Sequence, residues 1–165
     1  LEHGEIALNI SKNDIIETYQ KALNPISHLL YQKNIHLSEV NLLTKTQFEY
    51  DEARLIQVFQ NILGNALKFT DEQGTIQAKF QEKDNQLIIR IFNTGKQIPE
   101  DDLNLIFDKF YQSRNQNIRK PLGSGLGLAI CRKMQAHRGN ISARNLEIGV
   151  EFQMILNKNN GEKLH

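Results

Sequence analysis

Tryptophan is absent from this chain of 165 residues, and cysteine occurs once, at Cys131. A single cysteine excludes an internal disulfide and a zinc site built on several thiolates. Cys131 lies in a helical pattern, where it reads as a small buried thiol. An excess of one charge is also missing: 20 Lys+Arg stand against 19 Asp+Glu, for a formal net charge of +1. Nothing in that balance calls for a nucleic acid or an anionic membrane as partner. No apolar run approaches the roughly 18 to 20 residues that span a bilayer, and no signal peptide pattern is present. The expected location is cytoplasmic, with membrane anchoring of a longer parent protein left open. Repeats and low-complexity tracts are lacking as well.

What is there has the make-up of a soluble globular protein, with 39% hydrophobic and 24% charged residues. The length suits one domain over residues 1–165, with residues 1–5 as the end of a preceding helix and 157–165 as a polar tail. Residues 13–33 carry apolar positions at Ile15, Ile16, Tyr19, Leu23, Ile26, Leu29 and Leu30, a helical face that Pro25 interrupts. Two short strand candidates follow, 35–42 and 46–50. Asp51 is placed to cap the next helix, with apolar residues from Leu55 through Leu67 at helical spacing. Alternation through Ile76, Ala78, Phe80 and then Leu87, Ile89, Ile91 predicts a hairpin with one buried face. Pro99-Glu100-Asp101-Asp102 reads as the acidic first turn of a helix ending near Phe107 or Phe110. Residues 111–124 read as a loop, about 125–137 as a helix, and 140–144 with 150–156 as a last hairpin. The expected fold class is α+β: a two-layer sandwich, with helices on one face of a mixed, mostly antiparallel sheet.

Four segments carry chemistry. In Asn61-Ile-Leu-Gly-Asn65-Ala-Leu-Lys68-Phe-Thr70, a helical pitch of about 100° per residue puts Asn61, Asn65 and Lys68 in a stripe roughly 60° wide. Such a stripe is either a solvated face or a place where an amide oxygen holds Mg²⁺ and the ammonium meets phosphates. In Ile91-Phe-Asn93-Thr-Gly95-Lys-Gln97-Ile98-Pro, strand parity turns Asn93 toward the helices. A polar side chain there needs a partner, either a nucleobase edge or a backbone amide in the following turn. Leu105 to Phe110 forms an amphipathic helix end with two aromatics, which reads on its own as core packing. Gly123-Ser-Gly125-Leu126-Gly127-Leu128 enters a helix, where closely approachable backbone and a helix N-terminus suit an anion. It lacks a P-loop lysine, and no parallel-strand unit precedes it.

Taken together and in this order, the four segments resemble the N, G1, F and G2 boxes of histidine kinases. The wider family is an ATP-binding one shared with gyrase, MutL and a heat-shock chaperone, and the likeness runs over roughly residues 5–157. The resemblance implies a Bergerat-type fold, with ATP between sheet and helices under a lid formed by the loop before the last glycine box. It implies that Asn65 is the Mg²⁺ ligand, that Asn61 positions metal or water, and that Lys68 contacts phosphate. Asn93, Gly95, Gln97 and Ile98 would form the base end. Gly123, Gly125, Leu126, Gly127 and Leu128 would form the phosphate cradle, with Phe107 and Phe110 anchoring the lid and Arg114, Arg119 and Lys120 as lid cations. The implied activity is transfer of the γ-phosphoryl of ATP to a histidine on a separate dimerisation and phosphoacceptor domain of the same protein. A response regulator would act downstream, with the fragment monomeric and the parent a homodimer.

Three departures gather at the base end. Asn93 stands where the family has aspartate, Gln97 where it has a second glycine, and Val150 where a threonine hydroxyl commonly supports that aspartate. Hydrogen bonds to charged groups contribute roughly 1.5–3 kcal/mol and neutral ones about half that. The expectation is therefore weakened but surviving ATP binding, with the Asn93 oxygen accepting from the adenine amino group and its NH₂ donating to the neighbouring ring nitrogen. Nucleotide binding compared between the wild type and Asn93→Asp discriminates: higher affinity with the carboxylate marks a tuned ATP pocket, and no binding by either form marks a non-catalytic module. A second class of function stays open, a pseudokinase-like signalling module with weak or no ATP binding. No phosphoacceptor motif surrounds His3, His28, His36, His137 or His165, so each reads as a surface or packing residue and no self-phosphorylation is expected.

Overall fold

The computed structural model describes residues 7–103, 106–107 and 133–158. The chain begins with β1 (Ser11–Asp14) and α1 (Ile15–Leu23), passes a 3₁₀ turn at Asn24–Ile26, and continues into α2 (Ser27–Gln32). Pro25 is the reason for the break, since it cannot donate the helical hydrogen bond. Asp14 caps α1, its carboxylate accepting from the amides of Ile16 (2.9 Å) and Glu17 (3.1 Å). Its other oxygen accepts from the Thr46 hydroxyl at 2.7 Å, and that bond holds the Asp14 carboxyl below its ordinary range.

The strands β2 (His36–Asn41) and β3 (Gln47–Tyr50) go to different sheets. β3 pairs with β1, while β2 runs parallel to β4 (Thr75–Lys83) at one edge of a five-stranded sheet. β4 and β5 (Gln86–Thr94) form the expected hairpin. Asp84 and Asn85 both adopt positive φ at its turn, the conformation that matches the right-handed twist of paired strands. The sheet closes with β7 (Gly149–Asn157) against β5 and β6 (Asn140–Leu146) on the far edge, in the order β2-β4-β5-β7-β6. One parallel pair among antiparallel ones, with helices on a single face, is the α+β sandwich expected.

The long helix α3 (Glu52–Phe69) positions the site. Asp51 caps it by accepting from the Arg54 amide at 3.2 Å. Its buried face, Leu55, Val58, Phe59, Ile62, Leu63 and Ala66, packs on the inward residues of the sheet. Tyr19 of α1 is wedged edge-on between Phe59 of α3 and Phe80 of β4, at 5.6 and 5.4 Å. The C-terminal end of α3 is held from outside: the Lys33 ammonium donates to the carbonyls of Leu67 and Thr70, both at 2.8 Å. These are end carbonyls that the helix itself leaves unpaired.

Two expectations change. The acidic segment after Pro99 starts as a 3₁₀ turn, Glu100–Asp102, closed by Asp102 N–H to the Pro99 carbonyl at 2.8 Å. Pro99 is extended, so the chain enters this turn without a preceding helical residue and closes it by the tighter i+3 bond. The helix expected over 125–137 is described only at 133–136; Arg138 ends it with φ 56°, and Gly139 N–H returns to the Met134 carbonyl at 2.8 Å. His137 behaves as a packing residue. It is buried, accepts from the Asp51 amide through Nε2 at 3.1 Å, and places Nδ1 2.7 Å from the Lys133 carbonyl, so Nδ1 carries the proton. The 111–124 loop, Cys131, Leu1–Ile6 and the end of the tail lie outside the described residues.

Candidate nucleotide site

Between α3 and the β5–β7 end of the sheet lies a cleft with about 420 Å³ of empty space, part of it open to solvent. Asn65 and Phe69 line it from the helix, Asn93, Val150 and Phe152 from the sheet, and Lys96, Gln97 and Ile98 from the segment that follows β5. Among the described residues the lining holds no carboxylate. Its character is an apolar slot with amide edges and a lysine at the rim, which suits a flat neutral heterocycle carrying an anionic tail.

Asn93 reaches this cleft because its strand parity matches Leu87, Ile89 and Ile91, all buried beneath the helices. It is 3% exposed, and its Nδ2 donates to the Thr94 carbonyl at 3.1 Å. Only a donor can face that carbonyl, so Oδ1 is the atom left as an acceptor. Sequence reasoning left a nucleobase edge and a backbone group in the following turn as rival partners. The structure gives the amide nitrogen a backbone carbonyl and leaves the oxygen without a protein donor among the described residues. Directly opposite Asn93 on β7 is Val150, which offers it no hydroxyl.

Gly95 bends the chain out of β5 with φ 137°, and a Cβ there would stand 2.4 Å from the Phe69 carbonyl oxygen. Only glycine admits that approach between the segment after β5 and the end of α3. Past it, Gln97 Nε2 donates to the Leu146 carbonyl. Ile98 is held through its backbone, its N–H donating to Asn145 Oδ1 at 2.9 Å and its carbonyl accepting from Asn145 Nδ2 at 2.7 Å.

On the helix wall Asn65 is buried and lines the cleft, Asn61 is half-buried and Lys68 exposed. Asn61 and Lys68 share its stripe but lie beyond the cleft lining. None of the three makes a side-chain hydrogen bond or ion pair among the described residues. Phe107 packs edge-on against Phe152 at 6.2 Å, behind the cleft. Phe110, Gly123, Gly125, Leu126, Gly127 and Leu128, with the lid cations, lie outside the described residues. Sequence reasoning missed Asn145. Its signal was there: Asn145 follows Ile141 and Ala143 at alternate positions, so parity points an amide inward at the end of an edge strand.

Among the described residues no three His, Cys, Asp or Glu side chains cluster as a metal site, and no helix is long and apolar enough to cross a membrane. A single amide such as Asn65 nonetheless fits Mg²⁺, which takes few protein ligands and completes its octahedron with phosphate oxygens and water.

Comparison with known proteins agrees with this arrangement. Residues 50–160 match the family described as histidine kinase-, DNA gyrase B-, and HSP90-like ATPase, and the chain belongs to it. Within that family its likeness is to histidine kinases of two-component systems. Sensor histidine kinase WalK of Bacillus subtilis (strain 168) is 40% identical over 102 residues, covering 60% of this chain and 17% of WalK. The catalytic domain of histidine kinase ThkA, solved free of nucleotide, superposes with a TM-score of 0.79 at 27% identity, covering 92% of this chain and 97% of that one. Full-length ShkA, solved in complex with AMPPNP, gives a TM-score of 0.78 at 27% identity, covering 93% of this chain and 32% of ShkA. The chain thus corresponds to a histidine kinase catalytic ATPase domain and spans less than a fifth of its WalK relative.

Proposed function

We propose that this chain binds Mg-ATP in the cleft between α3 and the sheet and transfers the γ-phosphoryl to a histidine on a separate phosphoacceptor domain of a longer cytoplasmic kinase segment. The observation that carries the reading is the pairing across the cleft of two buried amides. Among the described residues Asn93 Oδ1 meets no donor at the apolar end, and Asn65 on α3 has no side-chain partner. An exocyclic amino group would satisfy Asn93 Oδ1, and the purine would fill the space among Ile98, Val150 and Phe152. Binding of AMPPNP by ShkA, an ATP analogue in a similar fold, supports the same occupant.

Asn65 would give its amide oxygen to Mg²⁺, which neutralises phosphate charge when bound. Asn61, one turn earlier, would orient a water of that shell, and Lys68 would reach the phosphates from the last turn of α3. Phosphoryl transfer asks little covalent chemistry of the protein, so this set acts by positioning and charge stabilisation. The phosphate cradle of Gly123, Gly125 and Gly127 and the lid anchored by Phe107 and Phe110 complete the proposal, with a response regulator as the downstream acceptor. The test is a titration with Mg-ATP, followed by incubation with a separately supplied phosphoacceptor domain and labelled ATP. A thermal midpoint unmoved by millimolar Mg-ATP defeats the reading.

One observation favours a second reading. Asn93 carries no charge, and Val150 offers it no hydroxyl, so a pseudokinase-like module relaying conformational change is the alternative. Weak or absent Mg-ATP binding by the folded domain, with no label transfer to the acceptor domain, would select it.

A further inference from the structure

The base end of the cleft is closed by a segment with no strand partner of its own. Residues 97–100 follow β5 and meet the C-terminal end of β6, which among the described residues pairs with β7. Two amide side chains join them. Gln97 Nε2 donates to the Leu146 carbonyl. Asn145 meets both backbone groups of Ile98, accepting from its N–H at 2.9 Å and donating to its carbonyl at 2.7 Å, and it also places Nδ2 3.5 Å from Glu100 Oε2. A single side chain here does the work of a strand bridge, pairing one residue's donor and acceptor together.

The register shows why this matters to the cleft. Asn145 lies directly opposite Val150, and Val150 directly opposite Asn93, so the three form one row across β6, β7 and β5 on the inward face. Asn93 gives the acceptor, Val150 the wall, and Asn145 the hold on Ile98, which is 8% exposed and lines the slot. We propose that Asn145 is a positioning residue for base recognition: it fixes Ile98 as one wall of the slot and so holds a purine's amino group against Asn93 Oδ1. This rests on the nucleotide reading above and adds a specificity determinant to it. Asn145 acts through Ile98 and does not itself touch the base.

The test compares Mg-ATP with Mg-ITP, which carries an oxo group where adenine has its amino group, on the wild type and on Asn145→Ala. The wild type is expected to prefer ATP by about tenfold, because an oxo group would face an acceptor. Asn145→Ala is expected to lose most of that ratio by weakening ATP far more than ITP, since the slot no longer holds the ring in register. Amide hydrogen exchange at Ile98 should accelerate in the same variant while Ile89 in the sheet interior stays protected. If Asn145→Ala does not fold, Asn145→Asp keeps the acceptor for Ile98 N–H and loses the donor to its carbonyl, and it should lose about threefold of the ratio. A variant that keeps the wild-type ATP to ITP ratio, or a wild type that binds both alike, overturns this proposal alone. A wild type that binds neither nucleotide overturns the ATP reading first, and this proposal with it.

Discussion

On the sheet side of the cleft the protein answers most of its own polar groups. Asn93 Nδ2 is met by the Thr94 carbonyl, Gln97 by the Leu146 carbonyl, and both backbone groups of Ile98 by Asn145. On the helix side Asn61, Asn65 and Lys68 share a stripe of α3 and meet no hydrogen-bonding or charged partner among the described residues. Groups already paired set the shape of a pocket. Amide atoms that open onto the cleft without a partner among the described residues are free to meet a ligand, as Asn65 is on α3. The sheet wall is therefore structural with one acceptor exposed, and the helix wall is where metal and phosphate would be handled.

The largest effect expected from this division is at Gly95. Gly95→Ala forces a side chain onto φ 137° and into the Phe69 carbonyl oxygen at 2.4 Å, and neither the loop nor the end of α3 can yield cheaply. The expected loss is about 3 kcal/mol or more of folding stability, read by urea denaturation. A variant as stable as the wild type would show that the sheet wall is looser than its contacts say.

Next comes Asn65→Ala, which should do the opposite. With no side-chain partner among the described residues to lose, its midpoint should stay within about 0.5 kcal/mol of wild type. Mg-ATP affinity should fall by roughly 100-fold, a loss of about 2.7 kcal/mol. Equal loss of stability and affinity would erase the contrast between the walls.

The two walls also differed in how legible they were beforehand. The helix wall follows from 3.6-residue periodicity, so the Asn61–Asn65–Lys68 stripe, the Asp51 cap and the buried face from Leu55 to Ala66 were readable directly. Strand parity likewise turned Asn93 inward. What parity does not supply is register between strands distant in sequence, and the row Asn93–Val150–Asn145 exists only through two such pairings. Lys33 was hidden for the same reason: its bonds to the end of α3 cross 34 and 37 residues. The 3₁₀ turn after Pro99 shows a local limit, since acidic residues mark a helical start without fixing which hydrogen bond closes it.

Register also alters the expectation for the base end. Replacing Asn93 by aspartate puts a carboxylate oxygen where Nδ2 now donates to the Thr94 carbonyl, and Val150 opposite has no hydroxyl to relieve it. Asn93→Asp alone is therefore expected to leave ATP affinity unchanged or lower, contrary to a count of charges. Paired with Val150→Thr it should bind more tightly than either single variant. The coupling expected from a cycle of the four proteins is about 1–2 kcal/mol. An Asn93→Asp variant that gains as much alone as with Val150→Thr would show that the neutral amide is a weakened aspartate and not part of a matched pair.

The smallest effect is the most discriminating about the helix wall. Gly64 lies mid-helix, exposed and flanking the stripe on its Lys68 side, and a Cβ there would meet nothing within 4 Å among the described residues. Glycine in a helix interior costs roughly 0.5–1 kcal/mol relative to alanine, and no contact of the described residues requires it. Gly64→Ala should accordingly raise folding stability by about that amount. If phosphates lie along the stripe, the added methyl takes space they use, and Mg-ATP affinity should fall about threefold while stability rises, a cost of about 0.6 kcal/mol. Opposite signs in the two measurements would place the ligand over this face of α3. A gain in stability with full affinity would move the phosphates off Gly64 and leave Asn65 as the helix's contact with the nucleotide.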